Sequence, residues 1–583
     1  MFNFAICATV PRMRRLSLVV LSVLVPGCIS AEYELYLEQQ EKFASNGSGS
    51  SGDLETTTDD AEPESTGTIG SESAGVSATD TGDSADTAPP TGTVTDTATD
   101  TGDATDTADS PPVGEPEKPI IVSVELPENV YSAGPVPLAV QAVHTSSVRV
   151  TLDGADAGEL IAAGGGLFTG ELPVRGAIDN GSHEIEVIAT QGKYEDRRPD
   201  AYNVKTPAPG TEAWSKTGAA GSRTNRVATT PAGHLIEVGQ TLIDGVPRPT
   251  IRLRSGVTGA ELWPEGTIVL DTREGAVVDV AVLADGRMWV AMNVREGKMD
   301  PRPRLALLDA DGHATGIEGE GAAGRVVRAI AADADGGCFA VGLAVVLGDW
   351  DAAYWRITAE GEQTLGDAYD YRPDPIKDPP HLFMDLANDV LIDGDVVWVI
   401  GASTGEHAVN NLSTRGMIAR LDLHTGKPIA PTIIAPKDGG WTESMFFGAA
   451  LHPEGVVVTG YGRNLISSLY RIETSRYTAA GARPWHQWEQ WNSGLAYGSD
   501  VALDSQGRAL VAGAVTQNGK LRGYMFGRAV DDPNGDILLE HWFPGVGPSE
   551  GLGIARDAFD RIFPVGYVTS SGTTQARITR IHG

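Results

Sequence analysis

One short pattern in the sequence could support nucleophilic catalysis. Gly401, Ser403 and Gly405 fit G-x-S-x-G, in which a sharp turn between a strand and a helix exposes the serine to an acid and a histidine farther along the chain. Here the pattern follows a predicted strand and precedes another strand instead of a helix, so its context does not suit a nucleophile. We interpret it as part of a hairpin loop, and the sequence predicts no catalytic residue.

Two acidic segments could bind a cation. Asp309-Ala-Asp311-Gly312 and Asp333-Ala-Asp335-Gly336 are similar to the first half of a calcium-binding loop, but the remaining ligands of such a loop are missing. Asp-Gly also supplies the positive φ of a tight turn, and we interpret both segments as turns. The 11 histidines show no paired zinc spacing. The sequence therefore predicts no metal site and no cofactor, and the identity of any cofactor-binding residue stays unknown.

An aromatic cluster is the third candidate. Trp485, His486, Trp488 and Trp491 lie in the segment WHQWEQW, and such rings could stack on the faces of sugars. We favour packing instead, because tryptophan recurs at the same strand of other repeats, at Trp263 and Trp542. Polysaccharide binding stays open as an alternative.

The N-terminal residues predict export from the cytoplasm. A basic patch, Arg12 to Arg15, precedes an apolar run over residues 16–25. This is the form of a secretory signal, and the run is too short to span a membrane. The sequence therefore predicts passage across the inner membrane.

The same residues carry a resemblance to a known class of protein. Val25-Pro26-Gly27-Cys28 resembles the lipobox of bacterial lipoproteins. The resemblance implies that residues 1–27 are removed as a signal peptide and that Cys28 is lipidated and becomes the mature N-terminus. Ile29 stands where enteric inner-membrane lipoproteins have Asp, which implies an outer-membrane or cell-surface location. A plain secreted protein with an unmodified Cys28 is the alternative.

The charge of the chain is concentrated in one region. The 583 residues carry a formal net charge of −34, and residues 31–118 contain 21 acidic and 2 basic side chains. This region is rich in Thr, Ser, Gly and Asp, and it has too little apolar surface to offset the entropy of folding. We therefore predict that residues 28–118 form a disordered acidic tether. The strongly acidic balance also argues against nucleic acid as a partner, because it repels phosphate.

Residues 119–207 predict a small β-sandwich. Apolar residues alternate with polar ones over 120–125, 137–143, 148–152, 167–173, 183–190 and 202–206. Turn signals separate these segments at Asp153-Gly154, at Gly164 to Gly166 and at Asn180-Gly181. The region resembles the immunoglobulin-like (Ig-like) modules of bacterial surface proteins, which implies a rigid spacer.

Residues 208–583 contain seven repeats with a period of about 54 residues. Each repeat has an apolar strand, a tight turn and a second apolar strand. The second strand ends in glycine in six repeats, at Gly239, Gly342, Gly401, Gly460, Gly513 and Gly566. Four short strands in each of seven repeats predict an all-β, seven-bladed β-propeller. We expect the glycines to lie where sheets converge and leave no room for a side chain.

The ends of the repeat region predict how the ring closes. The last repeat stops after its third strand, and Thr211 to Trp214 is similar to the fourth strand at Ala260 to Trp263. We expect the segment around Trp214 to complete the last blade and remove its exposed edge. Two separate sandwiches are the alternative architecture, and the single register of the repeats argues against it.

Two further resemblances bear on function. The corner at Thr258-Gly259 to Trp263, and less completely the one at Thr425-Gly426, resembles the T-G-x-x-x-W corner of quinoprotein-type propeller repeats. The whole chain resembles bacterial lipoproteins with propeller repeats, for which no chemistry is implied. We expect contacts on the long loops 371–385, 406–415 and 476–484, as is common in proteins.

The sequence therefore predicts a lipid-anchored cell-envelope protein that presents a propeller as a binding or scaffold platform and is not an enzyme. Its expected partners are the membrane, through the N-terminal lipid, and a protein or glycan at the propeller loops. The alternatives are a quinoprotein-like or hydrolytic propeller enzyme and a polysaccharide-binding surface protein.

Overall fold

The computed structural model describes residues 116–583, apart from 298–299, 323, 347–348, 370–384, 405–413, 437–442, 465–468, 492–493 and 546. Cys28, the predicted signal peptide 1–27 and nearly all of the predicted tether 28–118 lie outside the described residues. Apart from one 3-10 turn, Ala177–Asp179, the regular structure of the described part is β-strand. The all-β prediction is therefore confirmed. A search of these residues finds no helix with the length and apolar character needed to cross a membrane.

The first part of the described chain contains nine strands. They are β1 (Ile120–Glu125), β2 (Asn129–Val130), β3 (Gly134–Val143), β4 (Ser147–Leu152), β5 (Ala155–Glu159), β6 (Ile161–Gly164), β7 (Leu167–Val174), β8 (Gly181–Gln191) and β9 (Tyr194–Val204). They form two sheets, with the strand orders β1-β3-β7-β6 and β2-β9-β8-β4-β5. Alternate apolar side chains of both sheets, such as Val136 and Leu138 on β3 and Val187 on β8, share one core.

The strands of this part match the sequence prediction wherever one face is buried. The predicted segment 120–125 coincides with β1, and five other predicted segments overlap β3, β4, β7, β8 and β9. The sequence did not predict β2, which has only two residues. It also did not predict β5 and β6, because all of their side chains are exposed and no apolar alternation marks them.

The remaining strands form seven four-stranded antiparallel sheets, which we call A to G. The first strand in this part of the chain, β10 (Glu212–Ala220), belongs to the last sheet. Sheet A consists of β11 (Arg223–Thr229), β12 (His234–Ile243), β13 (Val246–Ser255) and β14 (Thr267–Val269). Sheet B consists of β15 (Glu274–Val282), β16 (Met288–Arg295), β17 (Arg302–Leu308) and β18 (Ala314–Glu320). Sheet C consists of β19 (Arg325–Ala332), β20 (Cys338–Val346), β21 (Asp349–Ile357) and β22 (Gln363–Tyr369). Sheets D to G are β23 (Asp385–Asp393), β24 (Val396–Thr404), β25 (Thr414–Asp422), β26 (Ile433–Ile434); β27 (Glu443–His452), β28 (Gly455–Asn464), β29 (Leu469–Thr478), β30 (Trp485–Gln490); β31 (Ala496–Leu503), β32 (Arg508–Gln517), β33 (Lys520–Ala529), β34 (Leu539–Trp542); and β35 (Ser549–Arg556), β36 (Ile562–Ser570), β37 (Thr573–Ile581) with β10.

Successive sheets follow one another in cyclic order. The first strand of each sheet contacts the first strand of the next, and β35 of sheet G contacts β11 of sheet A. Apolar clusters lie between neighbouring sheets; one of them, for example, joins Val238 of sheet A to Val290 of sheet B. Four-stranded meanders that pack face to face around a common centre are the architecture of a β-propeller.

Sheet G is completed by β10, which precedes every other strand of the seven sheets in the chain. β10 pairs antiparallel with β37, and Trp214 lies opposite Arg580 in this pairing. The Trp214 indole donates a hydrogen bond to the Val257 carbonyl oxygen at 2.9 Å and packs 6.2 Å from the Phe563 ring centre. The prediction that the Trp214 segment closes sheet G is confirmed.

The recurring glycines have a different physical cause from the one that we expected. The first strand of each sheet has an irregularity in its pairing with the second strand, as between Gly498 and Asp500. A β-carbon at Gly513 would lie 2.1 Å from the Tyr497 carbonyl oxygen, and at Gly401 it would lie 1.7 Å from that of Leu386. The same clash occurs at the other four glycines of the series. The glycine is therefore required by the bulge of its own sheet and not by the convergence of neighbouring sheets.

The two-sheet part and sheet G contact each other. Arg580, which is 3% exposed, donates to the Ala133 carbonyl oxygen at 3.1 Å and to the Val257 carbonyl oxygen at 3.0 Å. Residues 116–583 accordingly form one compact unit.

Candidate functional site

The serine of the G-x-S-x-G pattern lies inside a strand. Ser403 belongs to β24 and is 2% exposed, and its neighbours across the sheet are Asp385 and Arg415. Gly405 lies outside the described residues. The interpretation of Ser403 as a loop residue is therefore wrong, because the strand continues through it before the loop begins.

The two acidic segments form the predicted tight turns. The Asp309 carboxylate accepts the backbone N–H groups of Asp311 and His313 at 3.0 and 2.8 Å. Asp333 accepts those of Asp335 and Gly337 at 3.0 and 2.7 Å. Each turn thus uses its first carboxylate to order its own backbone.

The tryptophans of the WHQWEQW segment have two different environments. Trp485 is 4% exposed and donates to the Asp532 carbonyl oxygen at 3.1 Å. Trp491 packs edge-on against Trp542 with ring centres 5.5 Å apart. Packing is confirmed for these residues, whereas Trp488 is 47% exposed.

The long loops expected to carry contacts differ in outcome. Residues 371–384 and 406–413 lie outside the described residues. In the third segment, β29 continues to Thr478 and a turn follows in which Gly481 donates to the Thr478 carbonyl oxygen at 2.9 Å. The prediction of a long loop over 476–484 is therefore wrong.

The residue directly after the bulge of the first strand is polar in four of the seven sheets. The position after the irregularity is held, in sheets A to G, by Arg226, Asp279, Ala329, Asp389, Gly448, Asp500 and Gly553. Sheets B, D and F have Asp at this position, and sheets C, E and G have a small residue. We call Asp279, Asp389 and Asp500 the aspartate set.

Each member of the aspartate set joins two sheets. Asp279 accepts the N–H of Val280 in its own strand and, with its other oxygen, the N–H of Ile330 in sheet C, both at 2.8 Å. Asp389 likewise accepts the N–H groups of Val390 at 2.9 Å and of Ala449 in sheet E at 2.6 Å. Asp500 accepts those of Val501 and of Ile554 in sheet G, both at 2.9 Å. The carboxylates therefore connect sheet B to C, D to E and F to G.

The environment of the aspartate set disfavours its charge. Burial raises the pKa of Asp279 to about 6, against which the positive charge of Arg226 acts. Burial also raises the pKa of Asp389, with the charges of Asp500 and Asp279 adding to the effect, and burial raises the pKa of Asp500. All three side chains nevertheless keep some accessible surface, as expected for groups along the narrow axis of a ring.

Arg226 occupies the corresponding position of sheet A and is the basic partner of the set. Its guanidinium donates to the Leu552 carbonyl oxygen of sheet G, so it connects the first sheet to the last. Its charge lowers the pKa of each aspartate relative to burial alone. One arginine thus partly compensates three enclosed carboxylates.

We did not identify the aspartate set from the sequence, although a signal exists. Each member is followed by valine, and the three Asp-Val pairs are about 110 residues apart, which is two repeat periods. A search at the single period misses them. Because both oxygens of each carboxylate accept backbone N–H groups, the set acts on the sheets themselves. Within the described ranges, no group of three or more His, Cys, Asp and Glu side chains could hold a metal ion.

A cavity of about 290 Å³ opens on the face formed by the turns between first and second strands. Its walls come from sheets A, B and G and include Pro231, Leu283, Ala284 and Phe559. None of its lining side chains is titratable. We call it the turn-face cavity, and its composition suits an apolar group.

Neither a protein-family model nor a curated protein matches the chain. Among solved structures, it is similar to the Neurospora crassa Pan2 WD40 domain, with 11% identity, 63% of this chain and 95% of that chain covered, and a TM-score of 0.35. It is also similar to the β-propeller domain of the Trilobed protease from Pyrococcus furiosus, with 11% identity, coverage of 64% and 94%, and a TM-score of 0.34. For the Pyrococcus horikoshii acylaminoacyl peptidase, the identity is 12%, the coverage is 61% and 50%, and the TM-score is 0.37. With values this low, the propeller assignment depends on the sheet order and on the contacts between sheets.

Proposed function

We propose that the chain is a lipid-anchored cell-envelope protein that presents a closed seven-bladed propeller as a binding platform and does not act as an enzyme. In this proposal, Cys28 carries the lipid, residues 28–118 are the tether and the two-sheet part is an Ig-like module. The seven sheets in cyclic order and the pairing of β10 with β37 support the closed ring. The N-terminal sequence supports the anchor.

The turn-face cavity is the observation that carries the binding role. The inner carboxylates are engaged by backbone N–H groups, whereas the cavity is lined by uncharged and mostly apolar residues and has room for one large side chain. An apolar anchor residue that enters a pocket is the usual centre of a protein–protein contact. The proposed occupant is therefore an apolar side chain of a protein partner.

Site-specific photo-crosslinking in cells tests this role. A benzophenone amino acid at Ala284, in the cavity wall, should give a discrete protein adduct with the full-length chain. The same group at Thr573, which is exposed in the β36–β37 hairpin, is the control and should give none. An Ala558→Trp substitution should fill the cavity and remove the adduct. Adducts that persist in Ala558→Trp, or that form equally from position 573, would contradict the proposal.

Polysaccharide binding is a second candidate function, favoured by the exposure of Trp488. An indole that is 47% exposed on the outermost strand of sheet E offers a flat apolar surface to solvent. The strand belongs to sheet E, whereas the walls of the cavity come from sheets A, B and G, so both roles can be tested separately.

A further inference from the structure

The turn-face cavity opens at one end of the ring, and the turns of that end are acidic. In a four-stranded antiparallel meander, the turn after the first strand and the turn after the third strand lie at the same end. Together these turns, which we call the turn face, hold 11 exposed Asp and Glu side chains but only one exposed Lys or Arg, Lys427. The exposed charge of the turn face is therefore mostly negative.

Part of this charge is neutralised by neighbouring side chains. Five of the exposed acids pair with an arginine or a histidine, for example Asp285 with Arg287 at 2.7 Å. The other six pair with no basic side chain in the part of the chain that the structure describes, and they are Glu265, Asp311, Asp335, Glu360, Glu362 and Asp536. These carboxylates are exposed, so their charge acts on whatever approaches the turn face.

Asp311 and Asp335 belong to turns next to the walls of the cavity. The turn with Asp335 is attached to sheet B, because the Trp289 indole donates a hydrogen bond to a carbonyl oxygen of that turn at 3.0 Å. The turn with Asp311 belongs to sheet B and contacts sheet A, since a β-carbon on Gly312 would lie 2.7 Å from the Trp263 ring. Sheets A and B supply most of the cavity wall.

The arginines of the turns that line the cavity do not offset these charges. Arg287 pairs with Asp285, and Arg561 pairs with Asp557. Each of these arginines is thus matched by a carboxylate of its own turn. The cavity is therefore an uncharged, mostly apolar pocket beside a negative surface.

We propose that the partner of the turn-face cavity is a basic protein segment in which Lys or Arg residues flank one apolar anchor. The anchor fills the cavity, where its apolar surface is removed from water. The flanking cations face Asp311, Asp335 and the other exposed carboxylates of the turn face. The net charge of −34 of the chain also attracts such a partner from a distance. This inference rests on the proposed binding role of the cavity, to which it adds the charge of the partner.

Charge disfavours other occupants of the cavity. A second copy of the chain also carries a net charge of −34, and residues 31–118 of the same chain contain 21 acidic and 2 basic side chains. The turn face repels both. A neutral apolar ligand would fit the cavity but would gain nothing from the surrounding carboxylates.

Fluorescence anisotropy of labelled peptides with the full-length protein tests the inference. The probe is Lys-Gly-Lys-Phe-Lys-Gly-Lys, and two comparison peptides carry Ser in place of Phe or Glu in place of every Lys. We expect the probe to bind and the Glu peptide not to bind. The Ser peptide should bind at least about tenfold more weakly than the probe, because the apolar contact is lost. Ala558→Trp should weaken binding of the probe to the level of the Ser peptide.

Two matched double variants separate the turn face from the tether. Asp311→Asn with Asp335→Asn should weaken binding of the probe about fourfold at low ionic strength, because a unit charge about 10 Å away in water contributes about twofold. The loss should be smaller at about 0.15 M salt. Asp103→Asn with Asp106→Asn removes the same charge from the predicted tether and should leave binding unchanged. A melting temperature measured for each variant shows whether it is folded, and the comparison peptides keep the test valid if a variant unfolds.

Several outcomes would overturn the inference. They are no binding of any peptide, equal binding of the Glu peptide, wild-type affinity of the turn-face variant, or an equal loss in the tether variant, which would show that only the net charge matters. Binding of the Glu peptide that Ala558→Trp removes would leave the role of the cavity standing with a partner of another charge. A Ser peptide that binds as tightly as the probe would contradict both the inference and that role, and the crosslinking from Ala284 tests the role on its own.

Discussion

The raised pKa of Asp279 predicts a pH-dependent contribution to stability that a single substitution should remove. In the folded protein this pKa is about 6, whereas the ordinary value is 3.8. As the pH falls from 7 to 4.5, the native state takes up a proton at Asp279 while the unfolded chain stays mostly ionised. Protonation therefore stabilises the fold as the pH falls through about 6, and this stabilisation is lost as the pH rises again. The linkage relation gives about 2 kcal/mol over this range.

The assay is denaturant unfolding of the full-length wild type and Asp279→Asn at pH 7 and pH 4.5. Asparagine cannot take up the proton, so the free energy of unfolding of the wild type minus that of the variant should rise by about 2 kcal/mol on acidification. The loss of one acceptor in Asp279→Asn lowers the free energy of unfolding by the same amount at both pH values, by about 1–3 kcal/mol. This loss therefore cancels in the comparison.

Asp285→Asn is the matched control. Asp285 is an exposed aspartate of the adjoining turn, and hydrogen bonds from Arg287 lower its pKa. Its contribution is complete above its ordinary pKa and is lost as the pH falls from there through the lowered pKa, so the difference from wild type should change little between pH 7 and 4.5. If Asp279→Asn shows the same difference at both pH values, burial of Asp279 does not have the effect described.

Three other perturbations follow from the fold. Gly513→Ala should lower the free energy of unfolding by about 3 kcal/mol, because its β-carbon meets the Tyr497 carbonyl oxygen. Gly507→Ala, with a φ of +73° and open space, should cost only about 1 kcal/mol, and equal losses in denaturant unfolding would contradict the bulge explanation. Cys28→Ala should abolish incorporation of an alkyne-labelled fatty acid in cells, and labelling that persists would refute the anchor. Arg580→Ala should increase amide hydrogen exchange at 131–134, where its hydrogen bond to Ala133 is lost; unchanged exchange would show that this contact does not hold the two parts together.

The main features of the ring could be predicted from the sequence because they repeat with each sheet. Alternation of apolar residues marks the strands, and the glycine series marks the register. The closing strand could be recognised because the segment that ends at Trp214 is similar in sequence to the one that ends at Trp263. The prediction that Ala260 to Trp263 is itself a fourth strand is wrong, because that strand is β14 and begins at Thr267. These signals come from burial and from backbone clashes that every sheet shares.

The features that the prediction missed depend on relations between sheets. Asp279 contacts its own strand and Ile330 of the next sheet, and a single repeat does not show such a partner. Trp488 belongs to the same cluster as Trp485, and only the packing of the sheets distinguishes the exposed ring from the buried one. The sequence pattern predicts a loop at Ser403, whereas β24 continues to Thr404, beyond its run of apolar residues.

The alternation of Asp279, Asp389 and Asp500 with small residues has a consequence for how such a molecule can change in size. The aspartates couple the sheets in pairs, B with C, D with E and F with G, and we call each pair a doublet. The seven sheets therefore comprise three doublets and one remaining sheet. The remainder is sheet A, which carries Arg226 and abuts the seam. Insertion or loss of a whole doublet would preserve the coupling, whereas loss of sheet C, E or G alone would remove the backbone N–H donor of one carboxylate.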